Sequence, residues 1–417
     1  MRITILSIGS RGDLQPFVAL AMALEKKGHE VVIATQCIFE DLVRSYGLQF
    51  FRISGNTREA LDSEAGRASV GSGRNTFRSW RNFVKLISPM IYEMGVDCYN
   101  ASQDSDAIIY SPLGFYWGPH ISEKLQIPSI GAYLSPIHST AEFPSYLIVT
   151  AKDLGSVVNR LSWSLSHYFS WLPFRSNINR FRTEFLNLPP ISKLNYNGYL
   201  KMQDLILYGI SPSVFKKPGD WVGNIEVTGY WFLDDFNWTP PPDLINFLEN
   251  GSKPIYVGFG SMAAKDAERM TNVILESIGY TGQRAVFASG WGGIRRVEMS
   301  ENIYVTDYIP HDWIFPKVKA VIHHGGAGTT AAGFRAGVPS IIVPFFLDQY
   351  YWGYKVYDLG LGPKPIPQTK LSITKLIDAI ERALNSEEII TNSKNMGYRL
   401  QSEDGISKAI KLIEDYL

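Results

Sequence analysis

No part of the chain constrains the fold more than Val321–Gln349, VIHHGGAGTTAAGFRAGVPSIIVPFFLDQ. Ala320–Ile322 is a short apolar run of the kind that makes a buried strand. Gly325, Gly326 and Gly328 follow as a loop without side-chain bulk, so backbone N–H groups can come close to a ligand. Thr329 and Thr330 open a helix that runs to Ala336 and is stopped by Gly337 and Pro339. Ser340–Pro344 is a second buried strand, with Asp348 and Gln349 just past its end. Free amides at a helix N-terminus and the helix dipole point the same way, so the arrangement attracts an anion, phosphate above all. His323 and His324 at the strand end, with the two threonine hydroxyls, add side-chain donors. Ligands in open α/β sheets lie off the carboxyl ends of the strands. Asp348 and Gln349 therefore share the phosphate's crevice, and a carboxylate beside an amide suits sugar hydroxyls, which both donate and accept. The bland alternative is a glycine-rich turn in an ordinary α/β protein; the second half of the stretch tells against it.

The N-terminus repeats the theme. Ile3–Ile8 is an apolar strand, Gly9–Pro16 a turn, Phe17–Lys27 a helix with Pro16 at its first turn, and Glu30–Ala34 a second strand. Such a unit opens a doubly wound domain. Gly9 and Gly12 lack the third glycine of the dinucleotide fingerprint, which speaks against NAD. Asp13 reads first as a helix cap or dipole partner. At a strand end it is also placed to take the proton of a hydroxyl.

At 417 residues the chain has room for two domains. Its 40 basic and 40 acidic residues cancel, so no global field recruits nucleic acid. With 10 Trp, 22 Tyr and 22 Phe, it favours apolar or sugar ligands over charged polymers. Cys37 and Cys98 make neither a disulfide framework nor a metal set, and read as reduced thiols of a cytoplasmic protein. The chain starts directly on a strand without a leader pattern. It holds no run of about 18 apolar residues, so membrane contact is expected to be peripheral at most.

The segments His324–Thr329 and Pro344–Gln349 resemble the nucleotide-sugar signature of inverting glycosyltransferases of the GT-B type. The branch most similar contains sterol glucosyltransferases and bacterial enzymes that glycosylate antibiotics; Gly9-Ser-Arg-Gly-Asp-Leu-Gln-Pro16 is similar to its first-turn motif. The resemblance implies an α/β fold of two Rossmann-like domains facing across a cleft. It sets an acceptor-binding domain at 1–214, a linker at 215–240, a nucleotide-sugar domain at 241–400 and a helix at 401–417 returning to the first domain. Asp13 would be the general base, where plant relatives carry a histidine. Ser261, His324, Gly326, Gly328 and Thr329 would hold the diphosphate; Tyr308, Ile309 and His311 the nucleobase; Asp348 and Gln349 the sugar. The ribose-binding Glu of plant relatives is Ala332 here, which leaves UDP- and dTDP-hexoses both open as co-substrate. Neither a metal nor another cofactor is implied. The expected reaction is inverting transfer of a hexose, glucose first, to a hydroxyl of a lipophilic acceptor such as a sterol, terpenoid or polyketide. A nucleotide-sugar epimerase on the same scaffold and a non-catalytic sugar-nucleotide binder are the alternatives.

Elsewhere, Thr57–Asn75 reads as a surface loop, and Arg67, Arg74, Arg78 and Arg81 as a solvated face. Phe77–Asn100 is helical with a break at Pro89. The aromatic stretch Leu134–Leu194 suits an acceptor pocket, and His138 within it reads as a second acid/base or an acceptor contact. His120 and His167 read as structural. Leu205–Ile210 is expected to be the last strand of the first half, Asp312 a helix cap, and Trp291 a core or rim residue.

Overall fold

A computed structural model describes residues 1–55, 81, 84, 87–147, 153–192, 205–235, 238–260, 267–289, 299–346 and 348–417. The chain divides into two compact units, one closing with Asp404–Leu417 and the other containing Asp234–Glu403. The loop at Thr57–Asn75 and Arg67, Arg74, Arg78, Ser261 and Trp291 lie outside the described residues.

The first unit holds seven strands: β1 (Arg2–Leu6), β2 (Glu30–Gln36), β3 (Gln49–Ile53), β4 (Ala107–Tyr110), β5 (Ser129–Tyr133), β6 (Leu205–Tyr208) and β7 (Ile225–Val227). All pair in parallel, in the order β3-β2-β1-β4-β5-β6-β7. Every residue of β4, β5 and β6 is buried. Their unbroken apolar runs are what a parallel sheet covered on both faces demands. The second unit holds β8 (Ile255–Gly258), β9 (Ala285–Ala288), β10 (Ile303–Thr306), β11 (Val321–His323) and β12 (Ser340–Ile342), also all parallel, in the order β10-β9-β8-β11-β12. Both orders reverse direction once, between β1 and β4 and between β8 and β11. The two α/β units are thus doubly wound sheets of one kind.

Several boundaries differ from the sequence reading. The first helix is Arg11–Lys26, so Pro16 lies in its second turn and Asp13 in its first. The chain turns helical as soon as Ser10 has supplied a cap, before the apolar periodicity starts. Leu205–Tyr208 is not the last strand of the first sheet: β7 sits inside the expected linker, three residues long on the sheet's edge, too short to leave a periodic signal. The helix 327–336 starts before Thr329, with Gly326 at its N-cap, and ends at Gly337 in the left-handed conformation. Pro89 lies in a short 3₁₀ turn, Ser88–Met90, ahead of the helix Ile91–Ser102. Within the aromatic stretch Leu134–Leu194, Trp163, Trp171, Phe174 and Phe181 are core residues, while Phe169 is exposed.

The C-terminal helix Gly405–Tyr416 seals the β7 edge. Lys408 Nζ donates to the Val227 carbonyl at 2.7 Å, and Asp404 caps the helix by accepting from the Ser407 amide. Gly405 lies so close to the Gly229 backbone that no Cβ fits between them. Gly405→Val is therefore expected to destabilise the first unit by about 1–3 kcal/mol, the usual cost of overpacking. Chemical denaturation monitored by tryptophan fluorescence checks this.

Candidate functional site

In the second unit the chain leaves β8 and β11 side by side, with Gly258 paired with His323 at their ends. The loops that follow carry Gly260 in one case and His324–Gly328 in the other, and both occupy the sheet's reversal point. Gly325 has φ +89°, and a side chain there would press on Ile342 at 2.7 Å and on the Gln349 carbonyl at 3.0 Å. Gly326 leaves room for the His324 ring, whose Nε2 lies where a Cβ would stand; a Cβ added to Gly260, which has φ +58°, would come 3.5 Å from the same ring's Cε1. The helix Ala327–Ala336 has no side chain capping its N-terminus. Its first amides, from Ala327, Gly328 and Thr329, lie next to the imidazole, which is the geometry that favours an anion. Thr330 is not a donor to this site, contrary to the sequence reading. It is buried, and its hydroxyl bonds the Gly326 carbonyl at 2.9 Å. Thr329 stays partly exposed.

Desolvation favours the neutral form of both histidines, His323 being fully buried and His324 half-buried. His324 falls from the ordinary 6.5 to about 4 by desolvation. His323 is driven well below its ordinary value, first by burial and then by its histidine neighbours. Its Nδ1 accepts from the Gly325 amide at 3.1 Å, which holds the loop's entry. His323 thus serves the backbone, and His324 is the one of the pair set beside the helix start.

Asp348 and Gln349 are the first two residues of the helix Asp348–Asp358. Gln349 is buried, and its Oε1 accepts from the Phe345 and Phe346 amides at 2.9 and 3.3 Å. That oxygen is committed to shaping the turn after β12. Ile309 is buried. Tyr308 is exposed and donates from its hydroxyl to Asp235 at 3.2 Å. His311 stacks on Phe315, ring centroids 4.5 Å apart, with Nε2 3.3 Å from the Tyr256 hydroxyl. Asp312 does not cap its helix: its carboxylate accepts from the Asp235 amide at 3.2 Å. Asp234 forms a bidentate pair with Arg335 on the 327–336 helix, at 2.5 and 2.9 Å. Asp234 and Asp235 together pin the entering chain beside Tyr308, a role invisible in the sequence because both partners lie far downstream.

In the first unit the equivalent reversal point falls between β1 and β4, where Leu6 pairs with Tyr110. The Gly9–Asp13 turn lies there, and Ser111 Oγ accepts from the Ile8 amide at 3.3 Å. Asp13 Oδ2 accepts from both the amide and the hydroxyl of Ser10, at 2.7 and 2.8 Å. Gly9 has φ +145°, and a side chain on it would stand 2.5 Å from Asp13 Oδ2. Glycine is required to let the carboxylate sit there. Desolvation pushes Asp13 above its ordinary 3.8, the Ser10 hydrogen bonds pulling the other way. Asp13 thus closes the helix start through Ser10, and it does so as a carboxylate whose pKa is raised by desolvation.

His138 follows β5. Tyr208 Oη lies 3.1 Å from the amides of Ile137 and His138 and 2.5 Å from His138 Nδ1. A phenol has two lone pairs and one proton. The Tyr208 hydroxyl thus gathers two backbone amides and the His138 ring, which fixes the imidazole just past β5. His167 bonds the Ile137 carbonyl at 2.7 Å, and His120 accepts from buried Arg182 at 2.9 Å; both are structural. Among the described residues no group of His, Cys, Asp and Glu is placed to hold a metal ion, and no helix is long and apolar enough to cross a membrane.

Two family descriptions match the chain: the glycosyltransferase family 28 N-terminal domain over residues 3–144, and the erythromycin biosynthesis protein CIII-like C-terminal domain over 293–405. Two sterol 3-beta-glucosyltransferases of Arabidopsis thaliana are 38% and 36% identical over 428 and 426 residues, each across 100% of this chain and 66% and 68% of their own length. The chain belongs to the glycosyltransferase family that holds the sterol 3-beta-glucosyltransferases. The member from Komagataella phaffii is 34% identical over 431 residues, covering 99% of this chain and 34% of its own. The chain thus spans about two thirds of its plant relatives and about a third of this fungal one. Among solved structures, the glycotransferase of kitacinnamycin aligns with TM-score 0.72 at 17% identity, over 100% of this chain and 99% of its own. CalG4, the calicheamicin glycosyltransferase, aligns with TM-score 0.71 at 17% identity, over 100% and 98%. At that identity the likeness is one of fold, the two-unit architecture of glycosyltransferases.

The desolvated histidines set an acid limit. A histidine neutral in the fold but protonated when unfolded withdraws stability below its unfolded pKa. For His324 the loss begins near 6.5 and continues down to about 4. His324→Gln is expected to flatten the fall of melting temperature across that window, with His323 carrying the remainder; thermal melts from pH 7 to 4 check it.

Proposed function

We propose that the chain is an inverting hexosyltransferase that moves a hexose, glucose first, from a UDP- or dTDP-sugar to a hydroxyl of a lipophilic acceptor such as a sterol, terpenoid or polyketide. The observation that carries this reading is positional. Each sheet reverses once, and at each reversal stands one of the two motif loops, in the place where open α/β sheets bind ligands. Kinship with the sterol 3-beta-glucosyltransferases of Arabidopsis supports a sterol-like acceptor.

In this reading the amides of Gly326, Gly328 and Thr329, with Ser261, cradle the diphosphate, and neutral His324 donates one hydrogen bond to it. As the anomeric C–O bond breaks, charge grows on the departing phosphate. Donors already fixed in place stabilise it without reorganising. Tyr308, the Ile309 backbone and His311 take the base, and Asp348 with the Gln349 amide nitrogen takes the sugar hydroxyls. Asp13 accepts the acceptor's proton. Its raised pKa serves that task, since a carboxylate at its ordinary value is a feeble base at neutral pH. Ser10 binds Oδ2, which leaves Oδ1 as the atom that takes the proton. His138, held in place by Tyr208, contacts the acceptor. The free thiols Cys37 and Cys98 fit a reducing cytoplasm.

Asp13→Asn keeps the Ser10 hydrogen bonds and removes the base. Turnover is expected to fall by about 10²–10⁴-fold. Nucleotide affinity should stay unchanged, and the melting temperature at pH 7 unchanged or raised, because a desolvated charge is gone. Steady-state kinetics with nucleotide-binding calorimetry checks this. Near wild-type turnover in the variant removes Asp13 from the mechanism.

A further inference from the structure

The helix Ser156–Trp171 is turned inside out. Its buried face combines Asn159, Ser162 and Ser166 with two large rings, Trp163 and Trp171, and holds none of its aliphatic side chains. Asn159 Nδ2 donates to the Ala141 carbonyl at 2.8 Å and to Asp153 Oδ1 at 2.7 Å. Ser162 Oγ accepts from the Ser145 amide at 2.8 Å, Ser166 Oγ donates to Ser145 Oγ at 2.7 Å, and the Trp163 indole donates to the Phe143 carbonyl at 2.9 Å. These bonds fix the helix's rotation, so what faces outward is no accident of loose packing. The outward face carries Leu154, Val157, Val158, Leu161, Leu165, Phe169 and Leu172, with Val157 81%, Leu161 55% and Leu165 42% exposed. Their spacing of three and four residues makes one continuous stripe. Between Leu154 and Phe174 the only ionic side chain is Arg160, and no acid interrupts the stripe.

We infer that this stripe seats the first unit on the surface of a lipid bilayer. A helix of 16 residues is about 24 Å long and about 10 Å wide, so the stripe offers about 240 Å². That is well short of the about 800 Å² each partner gives to a stable protein interface. A narrow convex ridge fits a fluid boundary, which closes around it to a depth of about 5–10 Å. Arg160, flanking the ridge with its side chain 62% exposed, adds attraction to anionic headgroups even while it pairs with Asp220. The inference stands apart from the proposed reaction, because it is read out by membrane association alone.

The test is flotation of the purified chain with phosphatidylcholine–phosphatidylserine vesicles, comparing wild type with the triple variant Val157→Gln, Leu161→Gln, Leu165→Gln. All three positions face outward, so the melting temperature should hold. Wild type is expected to float, and the variant's partition to drop by at least about tenfold, given the apolar area removed. Failure of the wild type to float overturns the inference, as does flotation of the variant equal to wild type. Two further outcomes also overturn it. If the variant changes from dimer to monomer by light scattering, the face joins copies of the chain. If it loses turnover of an acceptor supplied in cyclodextrin, the face belongs to the acceptor site.

Discussion

Everything in the second unit depends on one helix end left open. A helix N-terminus inside a fold is normally closed by a side chain, since its first amides otherwise lack partners. At Ala327 the N-cap residue offers no side chain to close it. That residue is glycine, the loop before it is bent through a left-handed glycine, and the His324 imidazole stands against Gly326. In the proposed function a ligand completes this end. The rest of the unit is arranged to hold this opening still: His323 grips the Gly325 amide, Gln349 fixes the adjoining turn, and Arg335 ties the helix's far end to Asp234.

The first unit answers with the opposite device. Its helix start is closed by the Asp13 carboxylate, the group proposed above as the base. Only Oδ2 faces the two Ser10 donors, so the proposed proton transfer would use Oδ1, and Gly9 supplies the space. Positioning a base by making it a cap costs little, because a first-turn acid is favourable there on its own account. Burial then raises its pKa against the pull of the cap.

What the sequence revealed followed from burial. Strands covered on both faces are continuous apolar runs, so most of the twelve strands and the alternation with helices could be placed, and the family resemblance named the motif loops. Helix starts were placed late, at Phe17 and Thr329 in place of Arg11 and Ala327, because a first turn has no periodicity to detect. β7 is an edge strand too short to register. Hydrogen-bond commitments were also hidden. Nothing local tells that Gln349 spends its carbonyl oxygen on the turn before it, that Asp312 holds Asp235, or that Tyr208 anchors the ring of His138, 70 residues away. The aromatic stretch misled for a related reason. Its large rings make the core, while the helix within it buries serines and turns its leucines outward.

The central claim is that the opening at Ala327 binds a nucleoside diphosphate. Titration calorimetry of the wild-type chain with UDP and with dTDP, beside Gly326→Ala, in which the added methyl collides with the His324 ring, tests it most directly. The account predicts binding of at least one nucleotide by the wild type, lost by about tenfold or more in the variant, as expected when close backbone approach to a phosphate is blocked. Absence of binding for both nucleotides, or an unchanged affinity in Gly326→Ala, would contradict it.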